Sequence, residues 1–297
     1  MTHSAYIFLL LISLSCTGQT TKGVPYIDAD KPGLIAQKFA PDFFSNADEY
    51  EFGSVFSKDG TEFFYAVDYN GRAEIRTSTL TKTGWTAPKT ILSHPKFGYN
   101  DPFLAPDEQQ LYYISDRPRN ATDTITDIDI WYSQRTTDGW SDPINAGTMI
   151  NSDKHEYYIS FTASGTLYFA SNKAAEATRS HDFDIYAARQ INGVFERPEK
   201  LPPTVNTKRY EADVFVAPDE SYLVFSTARQ DGFGNGDLYI SFKDANQQWQ
   251  EAKNLGTAVN TEGHELCPFV TADGKYLLFT SNQDIYWVST QLFEQFK

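Results

Sequence analysis

One phrase recurs five times along the chain, and it limits what the chain can fold into more than any other feature. It reads FGSVFSKDGTEFFYAVD from Phe52, NDPFLAPDEQQLYYISD from Asn100, YYISFTASGTLYFASN from Tyr157, ADVFVAPDESYLVFST from Ala212 and LCPFVTADGKYLLFTSN from Leu266. The turn positions Asp59, Asp107, Ser164, Asp219 and Asp273 are 48, 57, 55 and 54 residues apart. Each copy is an apolar run, a tight turn of the Asp-Gly kind and an aromatic-rich run, which is the pattern of a hairpin. Both runs (strands a and b) are apolar on both faces, so every hairpin needs cover on two sides. A period near fifty, built from short strands that cover one another, predicts an all-β propeller.

The rest of each unit follows the same punctuation. The segments EIR, DIW, DIY, DLY and DIY, headed by Glu74, Asp129, Asp184, Asp237 and Asp284, read as strand c, with the acid as a turn cap. Strand d is announced by Trp85, Trp140, Phe195 and Trp249, so four copies of d serve five of a. Each complete unit passes from d to the next a with an Asn five positions before a Glu: Asn151 and Glu156, Asn206 and Glu211, Asn260 and Glu265. Asn46 and Glu51 keep that spacing near the start of the chain, so residues 33 to 41 are expected to supply strand d of the last blade. That exchange pairs the strand edges an open ring would leave bare. The expected architecture is a five-bladed propeller of four-stranded blades.

Composition agrees: 22 Phe and 18 Tyr beside 2 Met suit strands, and a net charge of -14 repels phosphate backbones, so nucleic acid is excluded as a partner. Ala5 to Leu14 is an apolar run too short to span a bilayer and suited to an export signal. Ser13-Leu14-Ser15-Cys16 resembles a lipoprotein lipobox, which would make Cys16 a lipidated N-terminus, although ordinary cleavage after Ser15 also satisfies the small-residue rule. The divisions are then a signal peptide (1-15), a tether (16-32) and a single propeller domain (33-297). The expected location is the periplasm or the outer membrane, held by a lipid anchor alone. Cys267 lies in an apolar strand pattern, and no disulfide is expected.

Units such as ELCPFVTADGKYLLFTSN followed by DIYW resemble the TolB-type WD40-like repeat of exported bacterial proteins, over roughly residues 33 to 290. The resemblance implies an exported propeller and, more weakly, a role in gripping envelope proteins. TolB itself has six blades and an added domain, which this chain lacks.

In a propeller, the d-to-a and b-to-c connections emerge on one face, around the mouth of the central channel. The d-to-a loops place Glu51, Glu156, Glu211 and Glu265 at equivalent positions, with Tyr99 in the remaining blade. The b-to-c connections carry Tyr69, Arg117, Lys173, Arg229 and Gln283, and they are longest in blades 2, 3 and 4. Residues repeated in nearly every blade serve the blade, so the Glu residues are read as structural, pairing with backbone N–H groups or a neighbouring Arg or Lys. Ligand contacts are expected from Arg117, Arg119, Arg179, His181, Arg229 and Tyr99, on the quadrant carrying the long loops. His94, His155 and His264, with His181, are scattered, and neither a metal site nor any cofactor is expected. The reading is a monomeric, non-catalytic envelope module that binds a protein or glycan. The alternative is a carbohydrate-active enzyme, either a glycoside hydrolase with Asp101, Glu156 and Glu211 as acids at the channel mouth or a metal-assisted polysaccharide lyase using the histidines.

Overall fold

The computed structural model describes residues 31–46, 49–68, 70–124, 126–175 and 181–297. Cys16 and its leader, Tyr69 and Arg179 lie outside the described residues. The strands form five antiparallel blades, each with strand a innermost. Blade 1 is Tyr50–Phe56, Glu62–Asp68, Ala73–Thr81 and Lys89–Leu92. Blade 2 is Asn100–Leu104, Gln110–Ser115, Asp129–Thr136 and Ile144–Asn145. Blade 3 is Glu156–Phe161, Leu167–Ser171, Asp184–Ala188 and Glu199–Lys200. Blade 4 is Glu211–Val216, Tyr222–Thr227, Asp237–Phe242 and Lys253–Asn254. Blade 5 is Leu266–Val270, Tyr276–Ser281 and Asp284–Ser289, completed by the N-terminal strand Gln37–Lys38. A 3₁₀ helix, Thr290–Phe296, follows, and among the described residues no helix is long and apolar enough to cross a membrane.

The closure by the N-terminus is as expected, with Gln37 opposite Trp287 and Lys38 opposite Tyr286. Its spacing argument needs correction. Asn151 and Asn206 each bracket strand c, the amide oxygen accepting from Ile130 N or Ile185 N and Nδ2 donating back to the same residue's carbonyl. Asn260 does the same at Leu238. In the last blade Phe44, not Asn46, takes that place, because Phe44 N bonds Ala40 O as Asn151 N bonds Gly147 O. Phe44 and Phe39 are fully buried, and Phe39 packs against Phe56, Phe63 and Trp287 with ring centroids 5.2–5.9 Å apart. Aromatic packing replaces the amide bracket.

Two further readings shift. Trp85 and Trp140 do not lie in strand d; Gly84–Trp85 and Gly139–Trp140 fold back on the end of strand c, and strand d starts a few residues later. The acid heading strand c is a cross-strand partner of d, and at Asp237 it also caps the b-to-c turn, accepting from Phe233 N and Gly234 N. Glu74 accepts from Thr90 at 2.8 Å, Asp129 from Asn145 at 2.9 Å, Asp184 from Lys200 at 2.6 Å, Asp237 from Asn254 at 2.6 Å and Asp284 from Lys38 at 2.8 Å. Strand d pairs over as few as two residues, so this side-chain bond holds a strand that few backbone bonds hold.

Candidate functional site

The repeated glutamates are part of the frame. Glu51, Glu156, Glu211 and Glu265 are fully buried. Glu156 accepts from Ser152 N, Ser152 Oγ and Ser171 Oγ, stitching the d-to-a loop to the end of strand b. Glu211 does so through Thr207 and Thr227, and Glu265 through Thr261 and Ser281. In blade 1 Val67 stands opposite Glu51 where the others have a hydroxyl, and Glu51 Oε2 has no partner among the described residues. Burial pushes the carboxyls of Glu51 and Glu156 up to about 7, against the pull of their donors. Burial is the larger influence at both.

The cations of the b-to-c connections are similarly occupied. Lys173 sits 3.9 Å from the centroid of the Tyr186 ring, and Arg229 stacks on Tyr239 at 5.0 Å while donating to Val205 O. Arg229 Nε lies 3.9 Å from Glu211 Oε1. Arg117 lies over Trp131 at 5.7 Å. Arg119 bridges Asp127 and Asp129 and donates to Ser152 O, which pins the blade 2 insertion down. Arg117 and Arg119 share a shallow cavity beside that insertion, His181 is exposed on blade 3, and Tyr99 is buried. His94 stacks on Phe97 at 4.4 Å, His155 Nδ1 accepts from Ile128 N, and burial lowers the pKa of His264. Among the described residues no three His, Cys, Asp or Glu side chains are placed to hold a metal ion.

A cavity of about 400 Å³ opens instead at the mouth of the channel, lined by residues of all five blades and most heavily by blades 1 and 2. It rests on a feature the repeat conceals. Two positions after each Glu, or after Tyr99 in blade 2, strand a bulges through a left-handed residue: Gly53 (φ 57°), Asp101 (52°), Tyr158 (45°), Asp213 (50°) and Cys267 (54°). The bulge breaks register with strand b in every blade, so it belongs to the fold. The residues it carries do not repeat, and three of them, Asp101, Asp213 and Cys267, form the floor. Gly53 is needed for space, since a Cβ there would lie 2.8 Å from Asp101 Cα. Tyr158 crosses beneath the floor, its hydroxyl donating to Pro268 O at 2.8 Å from blade 3 to blade 5.

Asp101 and Asp213 are 7% and 8% exposed. Asp101 accepts from Cys267 Sγ at 3.3 Å, whereas Asp213 has no hydrogen-bond partner among the described residues. Burial pushes Asp101 up to about 6; burial, with the charge of Asp101 adding to it, pushes Asp213 up to about 8. Half-buried Tyr50, Phe52, Tyr157 and Tyr210 form the aromatic walls, with Tyr157 stacked on Phe183 at 4.7 Å. Asp68, Asp116 and Arg72 stand at the rim. Of the residues singled out from sequence, only Asp101 reaches this well. Asp213, Cys267 and the tyrosines were legible as breaks in the repeat, at strand positions rather than in loops.

The fold and its floor give a TolB-like five-bladed β-propeller. Aligned with TolB from Acinetobacter baumannii it gives a TM-score of 0.52 at 14% identity, covering 82% of this chain and 55% of that one. A thermostable family-43 glycoside hydrolase gives 0.52 at 11% identity, covering 82% and 91%, and a putative TolB from Agrobacterium tumefaciens gives 0.48 at 13%, covering 78% and 69%. The chain thus spans about half the length of the Acinetobacter protein. No family model and no curated protein matches the sequence.

Proposed function

We propose that this propeller is a non-catalytic binding module of the cell envelope that holds the end of a protein or glycan partner in the well at its channel mouth. The observation that carries the reading is the well itself: a cavity of about 400 Å³ with aromatic walls, whose floor residues vary while the frame around it repeats. Aromatic walls around a few convergent polar groups are what a specific small-group site requires. Titrating the full-length protein with soluble cell-wall glycan fragments and with envelope protein extracts tests it by calorimetry. Tyr157→Ala and Tyr210→Ala should weaken binding at least tenfold while the thermal midpoint shows a folded ring. Binding unchanged in both variants would sink the proposal.

One observation favours a second reading. Asp101 and Asp213 line one well with pKa values raised by burial to about 6 and about 8, so near pH 7 one is ionised while the other holds its proton. Unlike states in neighbouring acids are what glycoside hydrolysis uses. A reducing-sugar assay on plant and cell-wall glycans separates the readings: turnover that falls by a factor on the order of a thousand in Asp101→Asn or Asp213→Asn would establish the enzyme.

A further inference from the structure

We propose that the group seated on the floor of the well is a primary ammonium, held by Asp213 and Asp101 from below and by the rings of Tyr50, Phe52, Tyr157 and Tyr210 around it. The inference rests on the well being the binding site, and it names the chemistry of what enters. Asp213 is 8% exposed and has no hydrogen-bond partner among the described residues, and it lines the well, so its donors must come from what fills the well, water or a ligand. An ammonium has three, and no acceptor to waste on an acidic floor. Aromatic faces attract the same charge, more strongly where water is excluded.

The surrounding groups favour a cation over a neutral ligand. Asp101 and Cys267 come from blades 2 and 5, and Tyr157 and Tyr158 come from blade 3. Tyr210 leads into the strand of Asp213, and Tyr50 faces it from blade 1. Asp68 and Asp116 add negative charge at the rim, and Arg72 is the one cation lining the cavity among the described residues. The sum is negative in a low-dielectric cup, which concentrates cations. Because Asp213 holds its proton up to about pH 8, an ammonium must displace that proton to pair with the carboxylate. Binding should therefore release a proton and strengthen with pH until the floor is ionised.

The probes are small molecules of the two natural sources: Nα-acetyl-lysine amide for a peptide side chain and glucosamine for an amino sugar, with glucose, N-acetylglucosamine and butanol as neutral counterparts. Calorimetry from pH 6 to pH 9 reads affinity, and repeating it in buffers of different ionisation enthalpy counts protons. The proposal expects at least one amine to bind at least tenfold tighter than its neutral counterpart; for the lysine derivative, charged throughout this range, affinity should rise by up to about tenfold per pH unit below pH 8, and glucosamine, whose own ammonium gives up its proton within the range, is compared with its neutral counterparts at pH 6. Asp213→Asn should abolish both the preference and the pH dependence; it keeps the shape of the protonated side chain, and Lys38→Ala, at a position that lines no part of the well, serves as the folded control. Which amine binds identifies the source. If neutral sugars bind as tightly as glucosamine, the ammonium assignment fails while the glycan reading stands. If the small probes do not bind but a polymer binds in a manner dependent on Tyr157 and Tyr210, the assignment also fails alone. No binding by any of them overturns both.

Discussion

Lys38 Nζ lies 2.8 Å from Asp284 Oδ2, so a residue near the start of the described chain is ion-paired to one near its end, inside a single sheet. Backbone pairing of Gln37 and Lys38 with Trp287 and Tyr286 runs alongside, and Glu51 N donates to Gln283 O to join blade 1 to blade 5. An ion pair, a strand pairing and an inter-blade backbone bond close the ring at one place. They differ greatly in weight.

The ion pair is the weakest of them, because the Lys38 side chain is 40% exposed and water screens it. Lys38→Ala should cost less than about 1 kcal/mol, whereas Phe39→Ala, which empties a fully buried site, should cost about 3–5 kcal/mol. Deleting residues up to Phe44 should open the ring and unfold or oligomerise the protein. Urea titration and gel filtration check this, and a truncated monomer with an unchanged midpoint would refute it.

The glutamate stitches should differ by blade. Glu156→Ala strands the donors Ser152 N, Ser152 Oγ and Ser171 Oγ, and should cost about 3 kcal/mol. Glu51 already has one oxygen without a partner among the described residues, so Glu51→Gln should stay within about 1 kcal/mol of wild type. Equal losses in the two variants would contradict the geometry.

Stability should depend on pH through the floor. The pKa of Asp213 is raised in the folded state to about 8, far above its unfolded value, so the folded protein binds the extra proton. Its contribution is present at about pH 4 and below and is lost as pH climbs through about 8, a fall of a few kcal/mol by linkage. Asp101, Glu51 and Glu156 are shifted the same way and remain in the variant, so the difference between proteins is the test. Asp213→Asn should show a flatter profile than wild type from pH 5 to pH 9 and should be the more stable of the two at pH 9. Parallel profiles would show that Asp213 does not titrate there.

Gly53→Ala should damage the floor from blade 1. A Cβ would lie 2.7 Å from Asp101 Oδ1 and 2.8 Å from its Cα, and backbone cannot yield as a side-chain tip can. The left-handed backbone adds its own penalty, and together the loss should be about 3 kcal/mol with weakened ligand binding. Gly71→Ala is the comparison, also at positive φ but with nothing within 4 Å, and should cost about 1 kcal/mol. Thermal scans of the two variants decide it.

The frame was legible in the sequence because it repeats. The a–b hairpins, the five blades and the N-terminal completion all follow from turn residues and doubly apolar runs, whose local chemistry sets the strand. Trp85 misled because a tryptophan marks packing, not pairing, and here it folds back on strand c before d begins. Asn46 misled because a two-residue insertion in its loop keeps the distance to Glu51 while moving the asparagine off strand c. The well was obscured for the opposite reason: Gly53, Asp101, Tyr158, Asp213 and Cys267 share a backbone shape, not a residue type, so it shows in the sequence only as a break in the repeat.

The N-terminal completion of blade 5 also fixes the order in which the protein can be finished. Of the described strands, Gln37–Lys38 leaves the ribosome first and Asp284–Ser289 last, so this pairing is the last among them to become possible. At roughly 5–20 residues per second the first strand waits on the order of ten seconds or more for its partner. Blades 1 to 4 carry all their own strands and can assemble in sequence during that time. Blade 5 can form only once that last strand is out, and until then the N-terminal strand is unpaired, open to any other strand it meets, and the outer faces of blades 1 and 4 lack their cover.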